Sequence, residues 1–192
     1  MVYLLYTCET DRLVLKIVNE DAAPMVLALY EENKSFFECW EPKRAANFYT
    51  LNYQKASLSA EACQMSEGKL LRYWIFLKTN PEKIIGSVCF QNFLTSPSFN
   101  CSLGYKLDYK YNHCGYAFES IQKAIEIIWQ NYHMHRIEAF IMPGNAPSLR
   151  LIKRLHFIYE GISYSYACVN GRWSDYKRYV LIDPAYQFSS GI

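Results

Sequence analysis

The chain has 192 residues, 51% hydrophobic and 17% aromatic with 17 tyrosines, which suits one packed domain over residues 1–192 and excludes a low-complexity or linker-divided chain. Its formal net charge is +2, with Lys and Arg scattered among Asp and Glu, so no basic stripe exists to neutralise a row of phosphates and direct nucleic-acid binding is not expected. Seven cysteines, odd in number and never spaced two residues apart, fit neither a complete disulfide framework nor a zinc knuckle, and no metal is implied.

Met1 to Thr7 is apolar but gives way to Glu9, Asp11 and Arg12, too short a run for the core of a secretory signal. No window reaches the length of a membrane span, so reduced thiols in the cytoplasm are expected. Arg12 to Val18 is rich in branched apolar residues and reads as a first strand, followed by a helix from about Asp21 carrying Met25 and Leu29. Phe36, Phe37, Trp40, Phe48 and Tyr49 come next in a polar and aromatic segment, where they either line an acceptor cleft or pack a satellite core. A helical stretch then runs to about Glu67 and ends at Gly68, whose lack of a Cβ suits a C-terminal cap. Arg72 to Lys78 and Lys83 to Phe93 read as a hairpin turning at Asn80-Pro81-Glu82, with a third strand from about Asn100 to Leu107.

From Tyr116 to Tyr132, Ala117, Ile121, Ala124, Ile125 and Ile128 recur at helical spacing with no Gly or Pro inside, and His133 and His135 suit the negative end of that helix. Ile137 to Met142 is a short strand, Pro143-Gly144-Asn145 a turn, and Ala146 to Leu155 a helix with Pro147 in its first turn. Two closing strands meet at Asn170-Gly171, a strong hairpin signal. This order gives a mixed α/β sheet rather than a doubly wound one.

Chemistry concentrates at Asn112-His113-Cys114-Gly115-Tyr116-Ala117, a turn that breaks straight into the long helix. A helix start offers unpaired N–H groups and a positive dipole end to an anion. Gly115 permits close backbone approach, Ala117 is small, and no Asp or Glu lies between Tyr109 and Phe118. The stretch lacks the Gly-Lys-Ser/Thr of a nucleoside-triphosphate loop and the glycine spacing of a dinucleotide fold.

Asn112-x-x-Gly115-x-Ala117 resembles the pyrophosphate loop of the GNAT superfamily of acetyl-CoA-dependent N-acetyltransferases. Thr10 to Leu15, Gly104-Tyr105, Gly115-Tyr116-Ala117-x-Glu119, Arg136-Ile137-Glu138-Ala139, Asn145-x-x-Ser148-x-Arg150, Phe157-x-x-Glu160-Gly161 and Asn170-Gly171-x-Trp173-x-Asp175 follow in the order of its ribosomal-protein N-terminal acetyltransferase branch. Phe37-x-x-Trp40-Glu41-Pro42 is similar to the Trp-Glu-Pro element of that branch. The likeness spans Thr10 to Ile182. Asn112, His113 and Cys114 depart from the usual loop residues, His156 stands where a glycine is usual, and Lys153-Arg154 replace a common Glu-Lys pair.

The resemblance implies a central, mostly antiparallel twisted sheet of about seven strands with helices on both faces. It further implies that backbone near Leu107 aligns the pantetheine arm of acetyl-CoA, that amides around His113, Cys114, Gly115, Tyr116 and Ala117 hold the pyrophosphate, and that Asn145 bonds the pantetheine. Arg150, Lys153 and Arg154 stand toward the adenosine phosphates, or form only a solvated face. An amine attacking the thioester needs a base and an acid for the leaving thiolate. Ser148 is the candidate acid, since Ile152 occupies the position where many members carry a Tyr. No base is evident: Ala167 stands where some ribosomal acetyltransferases have Glu, leaving Tyr105, Asp108, His113 or a water, with Tyr105 preferred. Phe37 and Trp40 are the candidate acceptor residues. Cys114, beside a helix N-terminus, is expected to be readily modified and protected by bound CoA.

The implied activity is acetyl transfer to a primary amine, with a protein N-terminus such as that of a ribosomal protein preferred. The alternatives are a small amine acceptor and a non-catalytic acyl-CoA-binding domain. Monomer and homodimer are both open.

Overall fold

A computed structural model describes residues 5–186; Met1 to Leu4, the start of the apolar run at the N-terminus, and residues 187–192 lie outside the described residues. Eight strands form one sheet: β1 (Thr7–Glu9), β2 (Leu13–Lys16), β3 (Leu70–Leu77), β4 (Asn80–Leu94), β5 (Asn100–Leu107), β6 (Arg136–Ile141), β7 (Ile158–Val169) and β8 (Arg172–Ile182). They lie in the order β1-β2-β3-β4-β5-β6-β8-β7, and every neighbouring pair is antiparallel except β5 with β6. The helices are α1 (Ala23–Glu32), α2 (Lys34–Glu38), α3 (Leu51–Ser66), α4 (Tyr116–Tyr132) and α5 (Ala146–Arg154).

Strand periodicity explains why helices cover both faces. Alternate residues of a strand point to opposite sides, and in β3 both sets are large and buried. Tyr73 and Ile75 join a core with Leu13, Leu15 and the inward face of α4, including Ile121, Ala124 and Ile128. Trp74 and Phe76 join a second core with Val26 and Leu29 of α1, Phe37 of α2 and Leu58 of α3. Phe48 packs in that second core, which settles one of the aromatic alternatives, while Phe37 serves both the core and the cleft described below.

The long helix α4 spans the expected Tyr116 to Tyr132, opening on Gly115 at φ +83° and closing on His133 in the left-handed conformation. Gly68 adopts φ +69° beyond α3, and Asn170-Gly171 (φ +51° and +76°) turn the last hairpin as expected. Three local features differ from the sequence expectation. The β3–β4 hairpin turns at Lys78-Thr79, because Leu77 already pairs with Asn80. Pro81 therefore stands inside β4, ahead of the stretch that pairs with β5 from Gly86 onward, where its missing N–H breaks no β4–β5 bond. β1 adds a strand ahead of the expected first one, and the aromatic segment contains the short helix α2.

One topological fact positions the site. β5 and β6 pair through only three positions, Asn100↔Arg136, Cys101↔Ile137 and Ser102↔Glu138, before their register ends. β5 continues to pair with β4 as far as Leu107↔Gly86, and β6 with β8 as far as Ile141↔Lys177. The two halves of the sheet thus part beyond Ser102, leaving the facing backbone edges of Leu103–Leu107 and Ala139–Ile141 without a strand between them.

Candidate active site

The gap between β5 and β6 is the floor of a cleft of about 710 Å³. Its lining takes in residues of the Asn112 to Ala117 turn and, from α2 and the segment after it, Phe36, Phe37, Trp40 and Glu41. Asn145, Ser148, Arg150 and Arg154 line it from α5 and its approach. Cys114, Lys153 and the candidate base Asp108 do not line this space, but Leu107, Asn112, His113, Gly115, Tyr116, Ala117, Asn145, Ser148, Arg150, Tyr105, Phe37 and Trp40 do.

The turn is braced from β2's approach. The Arg12 guanidinium donates to the Cys114 carbonyl at 3.0 Å, pairs with Glu119 at 2.7 Å, and lies 4.6 Å over the Tyr116 ring. Glu119 also accepts from the Thr10 hydroxyl at 2.5 Å and the Arg12 backbone N–H at 2.9 Å. Burial alone would raise the Glu119 carboxyl, but these donors outweigh it and hold it below its usual range. Thr10, Arg12 and Glu119 thus lock the turn to the first turn of α4. His113 (φ +63°) and Gly115 (φ +83°) reverse the chain so that α4 starts facing the cleft. A Cβ on Gly115 would stand 3.2 Å from the Arg12 guanidinium, which would have to give way slightly, and the φ of +83° itself favours glycine there.

Cys114 departs from expectation. Its thiol is exposed, stands 3.5 Å from the Asn112 carbonyl, and is not among the residues lining the cleft.

On the opposite wall, the Asn145 side chain accepts from the Ser148 N–H at 3.2 Å and so caps α5. The Ser148 carbonyl accepts from the Tyr105 hydroxyl at 3.4 Å. Burial pushes the Tyr105 phenol up to about 12, against a smaller opposing effect of the bond to Ser148. Burial thus favours the protonated phenol, the form that donates to the Ser148 carbonyl. Asp108 fails for another reason: it is fully buried, accepts from the Lys110 N–H, lies 3.6 Å from Lys83 and does not line the cleft. Ile152 is fully buried in the core, so its side chain cannot reach the cleft, and Ala167 sits on β7 away from it.

Three polar cleft residues, Glu41, Lys106 and Tyr176, escaped the sequence reading. Glu41 is the only carboxylate among the lining residues; Lys106 holds it at 2.6 Å and Arg44 from the other side. Its position inside Trp40-Glu41-Pro42 was a signal, but its partners are distant in sequence. Lys106 is itself mostly buried, and burial with help from Arg44 and Arg72 pushes its ammonium below the usual lysine range, with Tyr30 opposing. Tyr176 of β8 also lines the cleft, and burial raises its phenol. Trp40 closes the roof, since its ring lies 3.8 Å from where a Cβ on Gly144 would stand.

Comparison with known proteins agrees with this geometry. Residues 12–158 match the family model described as an acetyltransferase (GNAT) domain. The [Ribosomal protein uS5]-alanine N-acetyltransferase of Escherichia coli (strain K12) is 31% identical over 175 residues, covering 91% of this chain and 90% of that protein. The crystal structure of ribosomal-protein-S5-alanine acetyltransferase from Vibrio fischeri shares the fold with a TM-score of 0.88 at 24% identity, over 94% of this chain and 98% of that one. Mycobacterium smegmatis RimJ in complex with CoA-disulfide does so at 0.83 and 20% identity, over 88% and 81%. With a family model and a homologue both spanning most of its length, the chain belongs to the GNAT family of acetyltransferases and is an N-acetyltransferase.

Proposed function

We propose that this enzyme acetylates the N-terminal amine of a protein, with acetyl-CoA as donor, by direct attack within a ternary complex. The observation that carries this is the single cleft lined both by the helix-start turn and by an aromatic group with a carboxylate. The turn fits a pyrophosphate: helix-start N–H groups face it, it carries no acidic side chain, and a Cβ at Gly115 would crowd its brace. The bare backbone edge of Gly104–Leu107 fits an arm with amide groups, in the manner of strand addition. Arg150 and Arg154 stand on the phosphate side.

Acetyl-CoA, when bound, supplies the thioester that the amine attacks. Trp40 and Phe37 confine the acceptor, and Glu41, held by Lys106 and Arg44, takes the amine's proton directly or through water. Ser148 and the protonated Tyr105 are donors on the opposite wall for the oxyanion and the leaving thiolate. The likeness to a uS5-alanine N-acetyltransferase supports a protein N-terminus as acceptor.

The test pairs calorimetry with CoA against acetylation of N-terminal peptides and of small amines such as polyamines, read by mass spectrometry. Tight CoA binding with turnover of peptides is expected, and Ser148→Ala and Glu41→Gln should lower kcat while CoA still binds. Turnover of small amines alone would transfer the assignment to them; absence of CoA binding would refute it.

A further inference from the structure

A second hollow, of about 620 Å³, opens beside the cleft and is lined by Lys34, Glu38, Glu41, Lys43, Arg44, Ala45, Ala46, Tyr49, Asn170 and Gly171. Glu41 is the one residue lining both spaces, so the two meet at the carboxylate where the acceptor amine is placed. The far side of the hollow is the tip of the β7–β8 hairpin, whose Asn170 side chain donates to the Glu38 carbonyl at 3.4 Å. A chain whose first residue sits at Glu41 therefore has a walled path for the residues that follow it.

The charges along that path do not balance. Lys34, Lys43, Arg44 and Lys106 stand against the two carboxylates Glu38 and Glu41. Glu41 is already engaged by Lys106 and Arg44, and Glu38 accepts from the Tyr49 hydroxyl at 2.9 Å. Lys34 lies 4.5 Å over the Tyr49 ring, and neither it nor Lys43 has an ion-pair partner among the described residues. Arg44 stacks 4.4 Å over Phe48 and 5.6 Å over Tyr30. The Tyr30 phenol registers the same field: burial would raise it, yet Lys106, Arg72 and Arg44 bring it below its usual value. Aromatic faces hold the cations in place without neutralising them.

We infer that the second hollow receives the residues just behind the acceptor amine, and that its unpaired cations select a chain carrying acidic side chains there. The inference rests on the proposed protein N-terminal acceptor and narrows it from any amine-bearing chain to one with an acidic segment after its first residue. Glu41 separates the two requirements, taking the amine's proton at one side while the lysines attract carboxylates at the other. Such complementarity acts on encounter and specificity, and exposed charges of this kind are screened by salt.

The experiment compares two peptides with the same first two residues, one with Asp and Glu at positions three to five and one with Lys, by kcat/KM for acetylation and by fluorescence anisotropy on the CoA-loaded protein. A preference of about tenfold for the acidic peptide at low ionic strength is expected, shrinking at about 0.5 M salt. The double variant Lys34→Glu with Lys43→Glu should invert the preference while CoA affinity is kept. Should the change at Lys34 disturb the fold through Tyr49, Lys43→Glu alone should still cut the ratio about threefold. Equal kcat/KM for both peptides, a preference for the basic one, or a ratio unmoved by the variants would overturn the inference and leave N-terminal acetylation standing. Inert peptides beside acetylated small amines would instead remove the acceptor assignment, and this inference with it.

Discussion

Glu119 shows how one carboxylate can serve a loop it does not belong to. It ties Thr10 and Arg12 to the first turn of α4, and Arg12 in turn holds the Cys114 carbonyl. Because its folded pKa lies below that of an unfolded glutamate, near 4.3, it stabilises the protein above that value, and the contribution fades as pH falls through the folded pKa. Glu119→Gln should cost about 1 kcal/mol at pH 7, Arg12 being half exposed, and the gap to the parent protein in urea melts should close below about pH 4. His156 offers the opposite sign. It takes the position where the family usually has glycine, and it adopts φ +64° just past the end of α5, exposed to solvent. His156→Gly should therefore raise stability by about 0.5 to 1 kcal/mol, read as a higher melting temperature with the cleft unchanged. The demand for a left-handed conformation there was not legible in this chain, which carries His; only the resemblance to the family pointed to glycine. The outward turn of the Cys114 thiol was not legible either, because a motif gives the order of residues and not the direction of each side chain.

At the scale of elements, legibility followed length and periodicity. α4 has its full extent written in its apolar spacing and its opening glycine, and β5 in its flanking Asn and Leu. β1 is three residues long with only Cys8 buried, too short for a period to register. α2 is five residues whose adjacent Phe36 and Phe37 serve different surroundings, one lining the cleft and the other also packing the second core. The β3–β4 turn was misplaced because Asn80-Pro81 has strong turn chemistry, which the pairing of Leu77 with Asn80 overrides. Gly86 in β4 marks a tight crossing between elements: a Cβ there would stand 2.4 Å from the Lys106 carbonyl oxygen and 3.1 Å from the Leu107 Cα. Since those neighbours are backbone, β5 must move. Gly86→Ala should destabilise by about 2 kcal/mol and raise the KM for acetyl-CoA, because the shifted segment is the cleft's edge. Unchanged KM with lowered stability would separate the strand's packing from its part in binding.

For the whole molecule, the mixed sheet with helices on both faces and the turn that opens α4 at Gly115 were readable from motif order. The parting of β5 from β6 was not, since pairing between strands depends on partners far away in the chain. Glu41 and Tyr176 were missed for the same reason: Glu41 reaches Lys106 from another layer, and Tyr176 arrives from β8. Strand-like insertion of the pantetheine arm predicts that acetyl-CoA slows amide exchange at Gly104–Leu107 and Ala139–Ile141 together, and raises the melting temperature in a concentration-dependent way. Protection confined to the Asn112–Ala117 turn would mean that the cofactor is held by its phosphates alone.

The three rungs joining β5 to β6 carry a mechanical consequence. Along their backbone edges β1 to β5 and β6 to β8 meet at one corner, while a single core beneath α4 packs against β5, β6 and β8 alike. Whatever bridges the open side acts as a clamp, so the donor that enters first also sets the spacing of the two edges. Trp40 and Glu41, lying against Gly144 and Lys106 on opposite sides of the gap, would then be brought into register for the acceptor by the donor's arrival. Ordered addition, donor before acceptor, is the expected outcome, and initial-rate patterns with a dead-end acceptor analogue check it.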